Sequence, residues 1–560
     1  MKNVKINIIG WSVFAVATVL GFLFWNWLIC PRIGWSFGLL ATIALSLAFG
    51  AIGAGIVGWA VWDEEFAFHP AAASGILAVL IVLACIISAI AGITGFHVDA
   101  IMNRLDMTEV SQEELVEMLP AIDEDGAYSW ADSATAHKLA ARKTGELTEF
   151  VNIYVVGNDM NTTITNGKLA KYVPLKYAGV LKASKVENIP GYVYINPVQQ
   201  KAEYMEHVIR YSPDAYFSYD LIRHARQAMP TEAFGRYTFQ VSPEGEPVWV
   251  MELVKLHGWF VDEVYAVALI NAETGNIEKY ELDNAPAWVS CISGETAQEI
   301  YNGYGRMING FWNLSGVGQT VTTDDFGYVA IDGEMYYTFG ITANSNSGHD
   351  SDESGNDNAV DESNLGLMLY NAHTNKAYFC KIPGAEEYSA MEAAEGVVQN
   401  FGYEASFPSL TNVDGVLTYV MVLKDSNGIV KQYGMVNYDN YTVAVTADSL
   451  NSCRVAYAKA LAKTSDVNVD SSAWETITIT ADTVEYIVQN GETIVYVRDI
   501  DGNVYKSNFD ENFLFVQKGS AISISVMDNG ESIKMMSLVQ IVSAPEIEVE
   551  VETTPENTVK

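Results

Sequence analysis

The sequence predicts an α+β protein: three N-terminal transmembrane helices, then tandem units of one helix with an antiparallel sheet, then a small C-terminal β-barrel. Three observations lead there. Apolar stretches without a charged side chain are confined to one end, a single order of helix, strands and tight turns recurs four times, and after about residue 471 the pattern changes to short, regularly spaced strands. The composition is that of a folded chain, with 49% apolar residues over 560 positions. Lys and Arg number 32 against 69 Asp and Glu, a net charge of −37. So acidic a chain lacks the basic surface that phosphate recognition needs, and nucleic acid is not expected as a partner. Cys30, Cys85, Cys291, Cys380 and Cys453 are odd in number and widely spaced, which gives neither a disulfide framework nor paired zinc ligands.

The transmembrane expectation covers residues 1–100. Stretches 6–29, 33–62 and 71–96 each hold enough apolar residues for a helix to cross the roughly 30 Å hydrocarbon core. Lys2 and Lys5 precede the first stretch as in a secretory leader, but the apolar run is longer than a leader's and no small-residue cleavage site follows. It reads as a retained anchor in the plasma membrane. Segment 97–137 carries one Lys or Arg, Arg104, among acidic residues that include Asp99, Glu113, Glu114, Glu117, Asp123 and Asp125. That asymmetry places the N-terminus in the cytoplasm and the chain after about residue 97 outside. Gly50, Ala54 and Gly58 recur at i, i+4 and i+8, a smooth face for packing among the spans or for a homo-oligomer. No Asp, Glu, Lys or Arg interrupts a span, so transport is not expected.

The repeat comes next. Asn271-Ala272-Glu273-Thr274-Gly275 is matched by Asn371-Ala372-His373-Thr374-Asn375, and Asn196 and Asn437 mark corresponding turns. Upstream of each lies a hairpin signal: Asn166-Gly167, Glu244-Gly245, Asp332-Gly333 and Asp414-Gly415. Before each of these comes a helix candidate, at 134–143, 219–229, 296–308 and 388–400. The units are bounded at 101–210, 211–290, 291–385 and 386–470, and the third carries an acidic insertion at 344–364. Residues 471–543 hold five strand candidates separated by Asn490-Gly491, Asp501-Gly502 and Lys518-Gly519, a small OB-like β-barrel. Residues 544–560 read as a disordered acidic tail.

The turn of the second unit, Ala268-Leu269-Ile270-Asn271-Ala272-Glu273-Thr274-Gly275, resembles the PepSY domain, an extracytoplasmic α+β module. Over about 120–450 the chain is similar to a family of uncharacterised bacterial membrane-anchored proteins. The resemblance rests on Ser212-Pro213-Asp214-Ala215-Tyr216-Phe217, Ala285-Pro286-Ala287-Trp288, Asn309-Gly310-Phe311-Trp312-Asn313 and Gly384-Ala385-Glu386-Glu387-Tyr388. It implies tandem PepSY-like units outside the membrane, and an association with restraining or chaperoning peptidases.

Asp350, Asp352 and Ser354, followed by Gly355 and Asp361, match the first half of a calcium loop. The second half departs from it, with Asp361 where a bidentate Glu is expected, so the segment reads either as a solvated insertion or as a tentative calcium site. No other metal or cofactor is expected. Gly303 to Gly310 lacks the spacing of a phosphate loop and reads as a helix end. His224, between Arg223 and Arg226, reads as a partly packed histidine, and Cys291, Cys380 and Cys453 as core residues. The leading functional expectation is a non-enzymatic scaffold or regulator that binds an envelope protein or peptide by strand addition. The alternatives are an envelope hydrolase or transferase using carboxylates, and a calcium-dependent spacer.

Overall fold

A computed structural model describes residues 2–32, 37–61, 79–80, 93–122, 126–147, 152–198, 200–257, 261–313, 315–344, 364–426, 428–461, 474–489, 492–509, 511–527 and 533–543, with 83, 86 and 90 singly. It opens with two apolar helices, α1 (Lys2–Ile29) and α2 (Phe37–Val61), both long and apolar enough to cross a membrane. Gly50 lets them meet: a Cβ there would lie 2.0 Å from Thr18 Oγ1 and 3.1 Å from the Phe14 carbonyl oxygen. Ala54, one turn on, is buried. This side of the Gly50/Ala54 face is thus occupied within the chain. The third expected span, 71–96, falls largely outside the described residues.

Two short elements follow, β1 (Asp106–Val110) and α3 (Gln112–Met118). The second begins with a capping box, in which Ser111 and Glu114 satisfy each other's backbone N–H. Next is α4 (Ser133–Glu146) with β2 (Tyr154–Val156), β3 (Asn161–Thr165), β4 (Lys168–Tyr177), β5 (Ile189–Asn196) and β6 (Lys201–Ile209). A second helix and sheet comprise α5 (Leu221–Ala228), β7 (Ala233–Val241), β8 (Pro247–His257), β9 (Val261–Asn271) and β10 (Ile277–Glu281). The third set is α6 (Gly294–Arg306), β11 (Thr320–Thr322), β12 (Gly327–Ile331), β13 (Glu334–Ala343), β14 (Gly366–Asn371) and β15 (Lys376–Cys380). In the fourth, α7 (Glu387–Val397) precedes β16 (Glu404–Ala405), β17 (Ser409–Val413), β18 (Val416–Lys424), β19 (Val430–Asn437) and β20 (Ala444–Ala447), and α8 (Leu450–Leu461) closes it.

From its tight hairpin onward each sheet is an antiparallel meander in sequence order, while β2, β11 and β16 pair beside that hairpin with β4, β13 and β18. The hairpins form where the sequence marks them, because Asn166-Gly167, Asp332-Gly333 and Asp414-Gly415 all have positive φ at both central residues, as a type I′ turn requires. The Asn turns hold by side chain: Asn271 Oδ1 accepts from Glu273 and Thr274 N–H, and Asn371 Oδ1 from His373 and Thr374 N–H, at 2.8–3.0 Å.

Successive residues of the middle sheets enter different cores. Val267 and Leu269 face the third sheet, while Ala266, Ala268 and Ile270 face the first. Leu367 and Leu369 join the fourth sheet's core, and Met368 and Tyr370 the second's. Burial on both faces explains why β8 reads as a nearly continuous apolar run from Pro247 to Val254, interrupted by Glu252. The stack is not a rod of neighbour-only contacts. The first sheet also meets the third, where Ile164 and Leu169 share a core with Ala330 and Tyr337, and the start of its helix meets the fourth through the Asp132–Lys424 ion pair at 2.6 Å.

Residues 106–122 do not join the first sheet, where the sequence boundary at 101 puts them. β1 pairs in parallel with β15, Asp106 opposite Lys376, and Leu115, Leu119 and Ile122 enter the fourth sheet's core. The i, i+4 pair Leu115/Leu119 needs an apolar face to bury against, and the fourth sheet offers it.

A closed five-stranded barrel ends the described chain: β21 (Trp474–Gln489), β22 (Glu492–Asp499), β23 (Val504–Asn508), β24 (Ala521–Met527) and β25 (Ile533–Ser543). The sequence suggests two strands at 476–480 and 486–488 where there is one. β21 pairs with β24 through its first half and with β22 through its second, and a register shift between Ala481 and Thr483 lets it turn the corner. β25 is absent from the sequence expectations. Residues 544–560 lie outside the described residues.

Candidate functional site

A cleft of about 290 Å³ opens where the first, third and fourth sheets meet. Its walls come from the lead-in and first turn of α4 (Ser129, Asp132 to Ala134), from Lys171 of β4, from Asp325 to Tyr328, and from Tyr388, Phe407 and Pro408. Asp132 caps α4 by accepting from Thr135 N–H at 2.8 Å, and its other oxygen takes the Lys424 ammonium. Burial works against the charged form of Asp132, but the hydrogen bonds from Lys424 and Thr135 outweigh it and hold the carboxyl below its usual range. Across the cleft the Tyr388 hydroxyl donates to Asp325 at 2.9 Å. Burial first, and then Asp325, raise that phenol's pKa.

Lys171 explains why the cleft exists. It pairs with Ile195, the residue before Asn196. At the corresponding position the other sheets pair Trp249 with Ile270, Tyr337 with Tyr370 and Tyr419 with Val436, each partner again one residue before the turn Asn. Those three aromatic side chains are fully buried, and each ties its sheet to the segment leading into its own helix. Trp249 Nε1 donates to Tyr211 O at 2.8 Å, the Tyr337 hydroxyl to Ile292 O at 2.8 Å, and the Tyr419 hydroxyl to Ala385 O at 3.3 Å. In the first sheet a lysine replaces the ring, and the corresponding lead-in, Ser129 to Asp132, lines an open cleft.

The Lys171 side chain is itself buried. Its ammonium donates to Thr162 Oγ1 at 2.7 Å and sits 4.6 Å from the centre of the Tyr328 ring, with no carboxylate in ion-pair contact among the described residues. Burial pushes it down to about 8, with Asp132 opposing the shift. Lys171 is absent from the site residues expected from the sequence, although its signal is plain: counting four residues past each turn glycine gives Lys171, Trp249, Tyr337 and Tyr419.

Asp350, Asp352, Ser354 and Asp361 lie outside the described residues, in the connection from β13 to β14. Among the described residues no three His, Cys, Asp or Glu side chains gather as a metal site would require. His224 is remote from the cleft: its Nε2 is 2.7 Å from the Gly275 carbonyl oxygen, and its ring lies against Tyr211 at 4.2 Å. Cys291 Sγ lies 3.7 Å from His373 Nδ1, the geometry of a nucleophile and its base. However, Nδ1 is also 2.8 Å from the Val289 carbonyl oxygen, which can only accept, so Nδ1 carries the proton and cannot take one from the thiol. Burial also pushes the Cys291 thiol up to about 12. Asn309 and Gly310, both at positive φ, form the turn that follows α6.

Two of the sheet edges, β10 and β6, are poorly suited to pairing with a new strand. Glu278, Lys279 and Glu281 charge β10, and Lys201, Glu203 and Glu206 charge β6. A comparison with protein-family models and with curated proteins finds no match for this chain.

Proposed function

We propose that this chain is a non-enzymatic, membrane-anchored protein of the cell envelope that binds an extended peptide segment of another protein. The ligand lies in the cleft with a carboxylate, from a chain end or an acidic side chain, on Lys171. The observation that carries this reading is Lys171 itself, a buried ammonium at a position where three sister sheets hold a sealing aromatic. Such a break in a local rule, costly to the fold and open to a cleft, is the mark of a binding residue. Phe326, Tyr328 and Phe407 supply apolar surface beside it, and the first N–H groups of α4, at Ser133 and Ala134, favour an anion.

The four helix-and-meander segments support PepSY-like units. The barrel's strand order, β21-β22-β23-β25-β24 with β23 and β25 parallel, supports the OB-like reading. The apolar helices α1 and α2, with the apolar stretch 71–96 as a third crossing, are the anchor, with the N-terminus in the cytoplasm and the sheets outside.

The test uses the full chain in lipid nanodiscs and a library of peptides with free or amidated C-termini. Enrichment of carboxylate-bearing peptides is expected, with affinity on the order of thirtyfold or more weaker for Lys171→Met. Peptides that bind Lys171→Met as well as the parent, or no enrichment at all, would sink the reading.

A further inference from the structure

We infer that the part of the chain outside the membrane spans rests directly on the bilayer surface. The contact is an aromatic rim made of Phe217 and Tyr219 at one membrane exit and of Phe96 and Trp312 at another. This rests on the reading that α1 and the third apolar stretch, 71–96, cross the membrane.

The first exit is fixed by one guanidinium. Arg223, in α5, donates through Nε to the Trp27 carbonyl oxygen at 3.0 Å, through Nη2 to that of Leu28 at 3.5 Å, and through Nη1 to that of Phe217 at 2.5 Å. It also stacks 4.8 Å from the Trp27 ring centre. Phe217 is therefore level with the last turn of α1. Its backbone is left-handed, φ 58°, which is unfavourable for a bulky side chain, and its ring is 68% exposed. A surface facing only water would favour Gly or Asn there. Tyr219 is exposed beside it, and nearby Arg32 pairs with Asp262.

The second exit lies at the end of the third apolar stretch. The Phe311 ring covers Gly95, where a Cβ would come within 2.7 Å of it, so the loop after α6 packs onto the point where that stretch ends. Two hydrogen bonds span the loop: Asn309 Nδ2 and Asn313 Nδ2 both donate to the Val317 carbonyl oxygen, at 2.9 and 2.8 Å. It nevertheless presents Trp312 at 81% exposure, and Phe96 is exposed to 71%.

Four exposed rings beside the end of α1 and the end of the third apolar stretch, accompanied by arginines whose stems are apolar and whose heads are polar, match the chemistry of the headgroup boundary. A net charge of −37 gives the chain no general attraction to anionic lipid, so the seating depends on ring insertion.

The test is spin labelling of the full chain in nanodiscs of phosphatidylcholine and phosphatidylglycerol, after Cys30→Ala and Cys85→Ala. Labels replace Phe217, Tyr219 or Trp312 in turn, so that one badly tolerated substitution leaves two others to read. Leu181 and Ile500 serve as exposed controls, and Val19 reports on α1. Relative to both controls, the rim labels are expected to shift toward access by oxygen and exclusion of a water-soluble nickel complex. Water-like labels on the rim, with Val19 in lipid, would overturn the inference alone. A water-like Val19 would overturn the membrane reading with it. Rim labels shielded from both reagents and broadened by spin–spin coupling would show a second copy of the chain covering the rim in place of lipid.

Discussion

Burial holds the Lys171 ammonium down to about 8, against 10.5 in an unfolded chain. Between those two values the unfolded chain binds the proton more tightly, so stability rises with pH across that window. Lys171→Met removes this rise and stabilises the protein at pH 7 by on the order of 3 kcal/mol, which urea unfolding at pH 7 and pH 10 measures. A variant more stable yet unable to bind separates a functional lysine from a structural one. Peptide binding by the parent weakens as pH rises through about 8. Glu387 behaves in the opposite sense. Buried, it accepts from Gly340 N–H at 2.8 Å through Oε1, while its Oε2 and the neighbouring Asn364 Oδ1 lack hydrogen-bond partners. Burial above all pushes it up to about 7, from 4.5, outweighing the hydrogen bonds from Gly340 N–H and the Asn364 side chain. Its contribution to stability is complete below 4.5 and is lost as pH rises through 7. Glu387→Gln, which stays neutral, therefore gains on the parent between pH 5 and pH 8 in thermal melts; an equal difference at both pH values would contradict this protonation.

At the scale of elements, two junctions between neighbouring sheets solve one problem from opposite sides. Glu252, on β8, accepts from Ser293 N–H at 2.9 Å and from the Thr296 hydroxyl at 2.9 Å, joining the second sheet to the start of α6, whose first residue is Gly294. One junction later the strand carries Gly340 at the corresponding position, and the carboxylate comes from Glu387, the first residue of α7. Each junction thus has one carboxylate and one glycine. Gly340→Ala would place a Cβ 2.4 Å from Asn364 Oδ1, and a loss of about 1–3 kcal/mol is expected in denaturant unfolding. Glu252 and Glu387 were not legible as a pair in one dimension, because their roles depend on which sheet faces which helix. The hairpins and the four helices that open the units were legible, since Asn-Gly, Asp-Gly, Asp132, Asp220 and Ser293 act through local backbone chemistry, whereas α3 and α8 were missed. β25 was missed although Asn529-Gly530 precedes it: it pairs with β23 and β24, so its place depends on closure of the whole barrel.

Across the whole molecule, three continuous cores weld the four sheets together, while the barrel has a core of its own built around Val495, Val497, Ile522 and Ile524. A chain ending at residue 461 is therefore expected to keep the melting transition of the four sheets, and calorimetry would show only the barrel's contribution removed; a collapse of the main transition would mean that the barrel supports the stack. The central claim is that the cleft beside Lys171 holds a carboxylate-bearing peptide of an envelope partner while α1 and α2 sit in the membrane. It is tested most directly by placing a photo-cross-linking residue at Tyr388 in native membranes, with Phe401, exposed and outside the cleft lining, as the control. The account predicts one envelope adduct at position 388, absent at 401, lost in Lys171→Met and displaced by a carboxylate-bearing peptide from the library. Adducts of the chain with itself alone, or an adduct indifferent to Lys171→Met, would contradict it.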